Sequence, residues 1–153
     1  MNTALEQLAQ AIQLAAPEQA PLRLAFAYAC VSRISQNLEE DTAIAAFQSF
    51  GAYLEGKLDQ AAFDALAVEI MQIANQHRGS RSLDGSQHAA VSATYALANA
   101  INGRALEAAA YAAYSKVYGY GGYAVSDPEA FREEFEAQVR LLQTLSGRSC
   151  QDS

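Results

Sequence analysis

Apolar positions recur along the chain at three- and four-residue intervals, and that period predicts helices almost throughout. Leu5, Leu8 and Ile12 share one face of a first helix, which the Thr3-x-x-Glu6 spacing opens as a capping box and Pro17 closes. A second starts near Pro21, a residue suited to a first turn, and runs to about Ile34. Its stretch LAFAYACV is apolar nearly all round, which predicts the central helix of a bundle. A third reaches from about Asp41 to Leu54, with Ile44, Phe47, Phe50 (or Ala46) and Leu54 inward and Gly56 as its stop. The fourth follows Asp59, and Phe63, Leu66, Ile70 and Ile73 form its stripe, widened by Ala67 and Ala74.

Ser86 can cap a fifth helix that ends at Asn102-Gly103 and turns Ala93, Leu97, Ala100 and Ile101 inward. A sixth, from about Arg104 to Tyr118, places Leu106, Ala110, Ala113 and Val117 on one side. The glycines of YGYGGYAV break it and argue against a strand. Asp127-Pro128 opens a last helix with a stripe of Phe131, Phe135, Val139, Leu142 and Leu145, and with Glu136 and Arg140 paired on its wet side. Short joints imply antiparallel neighbours. The expectation is one all-α domain over residues 1–147, a bundle of about six or seven mostly antiparallel helices, with residues 148–153 as a flexible tail.

Composition refines this picture. Hydrophobic residues make up 51% of the 153-residue chain, enough for a core without metals or disulfides. Alanine supplies much of that share and buries little area per residue, so close helix packing must do the rest. The net charge of −7 is uneven. Residues 35–70 carry Glu39, Glu40, Asp41, Glu55, Asp59, Asp64 and Glu69 against Lys57 alone. Nucleic-acid binding, which needs a basic footprint, is not expected. Cys30 reads as a buried small hydrophobe and Cys150 as a loose thiol, and the opening MNTALEQLAQ lacks the features of a signal peptide. The longest uncharged run, 85–103, is too polar for a bilayer, so a cytoplasmic protein without membrane contact is expected.

The stretch HRGSRSLDGSQH holds both histidines, and its candidate chemistry is weighed against a plain joint between helices. Asp84, Ser86 and His88 are too close in sequence to converge on one reacting atom as a triad. Asp84 and Ser86 suit the free N–H groups of a helix start, His77 the end of the preceding helix, and Gly79 and Gly85 the turns. Arg78 and Arg81 beside that helix start are a weak candidate anion site. His77, Asp84 and His88 match no zinc-ligand frame, so no metal and no cofactor are expected. Nor does any residue qualify as catalytic; Cys30, in apolar surroundings, is expected to be inert.

Two surfaces remain for a partner. Tyr111, Tyr114 and Tyr118 fall at helical spacing and read as sealing one side of the bundle, whereas Tyr120 and Tyr123 lie among glycines. A loop tyrosine offers large amphipathic contact area at small entropic cost, which suits an interface. Glu39, Glu40 and Asp41 read either as a solvated helix start or as a docking patch for a basic partner. Tyr118, Tyr120, Tyr123, Glu39, Glu40 and Asp41 are therefore the candidate contacts. Small alanine faces on the fifth and sixth helices offer a route to a homodimer.

The segments PLRLAFAYACVSRI, YLEGKLD, HAAVSATYALANA and AYAAYSKVYGYGGYAVSDPEAF resemble a small all-α immunity protein family of bacterial polymorphic toxin systems, the fifth in that predicted series. The resemblance covers roughly residues 21–145. It implies a cytoplasmic antidote that binds a cognate toxin domain and occludes it, with no enzymatic activity and no cofactor. Two other readings stay open: a helical adaptor or self-associating module, and a small enzyme or ligand-binding protein built on the His77–His88 region.

Overall fold

The computed structural model describes residues 2–76 and 85–147, and among these every regular element is helical. Seven α-helices follow in order: α1 (Thr3–Ala11), α2 (Ala20–Ser32), α3 (Asp41–Leu54), α4 (Gln60–Gln76), α5 (Gly85–Ile101), α6 (Ala105–Tyr118) and α7 (Arg132–Leu145). Short 3-10 turns at Pro17–Gln19, Ser35–Asn37, Gly122–Ser126 and Pro128–Phe131 join them. The Arg78 and Arg81 anion site, His77 and the 148–153 tail all lie outside the described residues.

Contacts between helices fix their directions. Phe50 and Tyr53 of α3 meet Phe63 and Gln60 of α4, and Asn75 and Ala67 of α4 meet Tyr95 and Asn102 of α5. Ala89 and Tyr95 of α5 meet Ser115 and Tyr111 of α6, and Ala109 and Tyr114 of α6 meet Gln138 and Phe131 at α7. In each pair one number rises as the other falls, so α3 to α7 run antiparallel in sequence, as their short connections require.

The α5–α6 pair is the centre of the bundle. Ala93, Ala96, Leu97 and Ala100 of α5 are fully buried, and so are Ala108, Ala109 and Ala112 of α6. Methyl side chains let two helices approach closely, which is how an alanine-rich chain compensates for small side chains. This arrangement corrects two expectations. Residues 24–31 of α2 are nowhere exposed, but α5 is enclosed still further, so α2 shares the centre and does not hold it alone. The alanine faces considered for self-association are spent inside the chain.

Other differences have local causes. Asn2, one residue before the expected capping box, caps α1 by accepting the Leu5 N–H at 3.2 Å. The helix stops at Ala11, short of Pro17, because Gln13 turns to φ 56° and Leu14 tucks into the core. Arg23 secures that turn by donating to the carbonyls of Leu14 (2.6 Å) and Ala16 (2.7 Å). Ser86 is not the cap of α5, since the helix already includes Gly85. On α3 the inward residues are Ala43, Ala46 and Phe50, while Ile44 and Leu54 are exposed. On α6, Ala110 faces out, and on α7 so does Leu145.

The last helix also buries two polar side chains, Glu134 and Gln138. Arg33, just beyond α2, grips Glu134 with two parallel hydrogen bonds, Nε to Oε2 at 2.8 Å and Nη2 to Oε1 at 2.9 Å. Gly51 has a packing role in α3. A methyl group there would lie 2.9 Å from Tyr28 Oη and 3.4 Å from its Cζ, and Tyr28 is itself stacked on Phe47. Gly51→Ala should therefore destabilise the wild-type chain slightly. In a Tyr28→Phe background the same change should stabilise by about 0.5–1 kcal/mol, the helix preference of Ala over Gly, as urea denaturation would measure.

Candidate partner-binding surface

The inner side of α6 is filled by alanines, so its large side chains have to stand on the outer side. Tyr111, Tyr114 and Tyr118 recur at three- and four-residue steps and share that side. The expectation that they seal the bundle is only half met. Tyr118 is half-buried, but Tyr111 is 38% exposed and Tyr114 45%. Tyr120, in the turn that follows, is 50% exposed.

The three rings of α6 each meet another ring. Tyr95 of α5 stacks on Tyr111 at 5.3 Å, and Tyr114 lies 6.3 Å from Tyr118. Tyr118 in turn stacks on His88 of α5 at 5.0 Å, and Tyr114 meets Phe131 edge-on at 5.2 Å. His88 therefore serves as an aromatic neighbour of Tyr118. Ring-on-ring contact fixes the side chains in place before any partner arrives, which lowers the ordering cost of binding. On the sequence Tyr118, Tyr120 and Tyr123 stand out as contacts, while helical spacing alone assigns Tyr111 and Tyr114 to packing. The missing signal was the run of alanines at the intervening positions of the same helix. Tyr123 falls in the Gly122–Ser126 turn, which Gly121 admits with φ 128°.

Glu39, Glu40 and Asp41 are exposed just before and at the start of α3. Their position follows from an internal chain of hydrogen bonds. Asn37 Nδ2 donates to Ser115 Oγ at 3.0 Å, and Ser115 Oγ donates to the Ala89 carbonyl at 2.7 Å. Asn37 stands two residues before Glu39, and Ser115 one helical turn before Tyr118. The acidic segment and the aromatic turn are thus tied to the same end of the bundle. Acids and exposed tyrosines at one end of a bundle can steer a basic partner and then anchor it.

The remaining chemistry is quiet. Cys30 is buried, and desolvation first, then the nearby Glu134 charge, push its thiol far above the ordinary cysteine range, with Arg33 opposing. It stays protonated and weakly nucleophilic. Among the described residues no cluster of three or more His, Cys, Asp or Glu is placed to hold a metal ion, and no helix is long and apolar enough to cross a membrane. No family model, curated protein or solved structure matches this chain.

Proposed function

We propose that this chain acts by binding: it is an antidote that docks on a cognate toxin domain and occludes it, as its resemblance to the immunity family implies. The single observation that carries the reading is the set of ring-packed tyrosines of α6, left exposed in a bundle whose acidic segment is tied to the same end. Tyrosines on a rigid helix supply contact area with little ordering cost, and the acids of Glu39–Asp41 favour a partner of opposite charge. A net charge of −7 acts in the same direction. Nucleic-acid-directed toxin domains with basic surfaces are the partners this electrostatic balance suits best.

The test begins with the neighbouring gene. Co-expression with an adjacent toxin-domain gene should restore growth, and the two proteins should co-purify. Within that complex, Tyr120→Ala should weaken binding by about 1–2 kcal/mol, or roughly five- to thirty-fold, while circular dichroism stays unchanged. Tyr114→Ala should behave alike. Val68→Ala, at an exposed apolar position on α4 rather than α6, should bind as wild type. Failure to rescue any neighbouring toxin would end the proposal, and undiminished binding by both tyrosine variants would rule out this surface.

A further inference from the structure

An open groove of about 620 Å³ runs between α1 and α7. Its floor is apolar: Phe135 and Val139 of α7 are half-buried there, beside the exposed Ala4 and Pro128. Asn2 ties the two walls together, donating from Nδ2 to the Phe135 carbonyl at 3.2 Å. Four exposed charges line the groove: Glu129, Arg132, Glu136 and Arg140.

Their order and spacing are self-complementary. Glu129 lies in the 3-10 turn Pro128–Phe131, where three residues advance about 6 Å, and four residues of α-helix also advance about 6 Å. The sequence steps of three, four and four therefore place acid, base, acid and base at nearly equal intervals. Arg132, Glu136 and Arg140, each about one turn from the next, share a side of α7. Reversed end for end, an alternating row of four is its own complement. A second α7 laid antiparallel puts Arg132 opposite Glu136 and Glu129 opposite Arg140, and two-fold symmetry makes each pairing twice.

The single chain uses only part of this capacity. Glu129 and Arg132 pair with each other at 2.7 Å, but neither Glu136 nor Arg140 forms an ion pair with another described residue. The four charges also cancel, so the strip is neutral on a chain whose net charge of −7 otherwise sets two copies against each other. Glu133, the remaining exposed charge of α7, does not line the groove. A partner of uniform charge would match only half of the row, which favours a second copy over it.

We propose that the α1–α7 groove is a self-association surface, occupied by α7 of a second copy in antiparallel register. None of Tyr114, Tyr120, Glu39, Glu40 and Asp41 lines the groove, and the inference does not rest on the toxin-binding reading.

One helix in one groove makes a small interface, so the dimer should be weak, with a dissociation constant on the order of 100 µM. Sedimentation equilibrium of the intact protein up to about 1 mM should show monomer and dimer in exchange. Arg140→Glu and Glu129→Arg each set like charges opposite one another at two places. Each should weaken self-association about ten-fold or more, with helical circular dichroism retained because both positions are exposed. An equimolar mixture of the two variants should recover dimers near wild-type affinity, since the acids of one copy then face the bases of the other. A merely structural effect of either substitution would not be cured by mixing. The proposal is overturned by a wild-type chain that stays monomeric at about 1 mM, by single variants that associate as wild type, or by a mixture that stays monomeric.

Discussion

Arg33→Ala is expected to destabilise the fold by about 3 kcal/mol, because it strands a carboxylate that has almost no access to water. Glu134 is 2% exposed, and both of its oxygens are engaged by Arg33. Arg33 itself is 37% exposed, so solvent offsets part of the loss, and the estimate is set at the low end of about 3–5 kcal/mol for broken buried pairs. The mutual hold is also visible in Arg33, whose guanidinium pKa is raised above its ordinary value, chiefly by the hydrogen bond to Glu134. For a domain of this size the melting temperature should fall by roughly 6–12 °C. Replacing both partners, Arg33→Met with Glu134→Leu, should recover most of that loss, since desolvating the pair costs much of what its attraction returns. A calorimetric loss under about 1 kcal/mol for Arg33→Ala would mean that water reaches Glu134 once the arginine is gone.

The bond from Arg33 to Glu134 spans 101 positions, and no local pattern announces it. On the sequence, Glu134 and Gln138 flank the stripe of Phe131, Phe135, Val139 and Leu142 and look solvated. They are buried because α7 meets α2 on one flank and α6 on the other, a consequence of assembly that the period of a single helix does not encode. Strongly periodic features were legible. The bounds of α3 agree with the expected Asp41 to Leu54, and Ala93, Leu97, Ala100 and Ile101 of α5 are all buried as expected.

Alanine is the residue whose side a periodic pattern defines least. It is compatible with both a buried and an exposed position, so a face drawn through larger residues misses an interface made of methyl groups. The larger residues of α3 therefore point to Ile44 and Leu54 as inward and pass over Ala43, whereas Ala43 is buried and both of the others are exposed; on α6 Ala110 shares the spacing of the inward residues yet is exposed. The partner-binding candidates show the same blind spot. Glycines on either side of Tyr120 signalled a residue leaving the helix. The exposure of Tyr111 and Tyr114 depended on which side of α6 could come closest to α5.

Phe50→Ala provides the strongest test of how α3 is turned, with an expected cost of about 3–5 kcal/mol. The Phe50 ring is fully buried between Tyr28, met edge-on at 5.2 Å, and Phe63 at 5.8 Å, so its removal opens a cavity where α2, α3 and α4 meet. Phe47 is only half-buried and stacks on Tyr28 at 5.1 Å. Its truncation should cost less, about 1–2 kcal/mol, from one ring contact and partial burial. Ile44→Ala, at a position 37% exposed, should cost less than about 1 kcal/mol. This ordering separates the observed face from the stripe of Ile44, Phe47 and Leu54, which would make Ile44 and Phe47 as costly as Phe50. Equal losses at Phe47 and Phe50 in urea denaturation would show α3 rotated from the orientation described here. The loosening should also be local, because the ring contacts of Phe50 lie on α2 and α4. Amide exchange in Phe50→Ala should therefore quicken first in α3 and α4, while α6 and its tyrosines keep their protection.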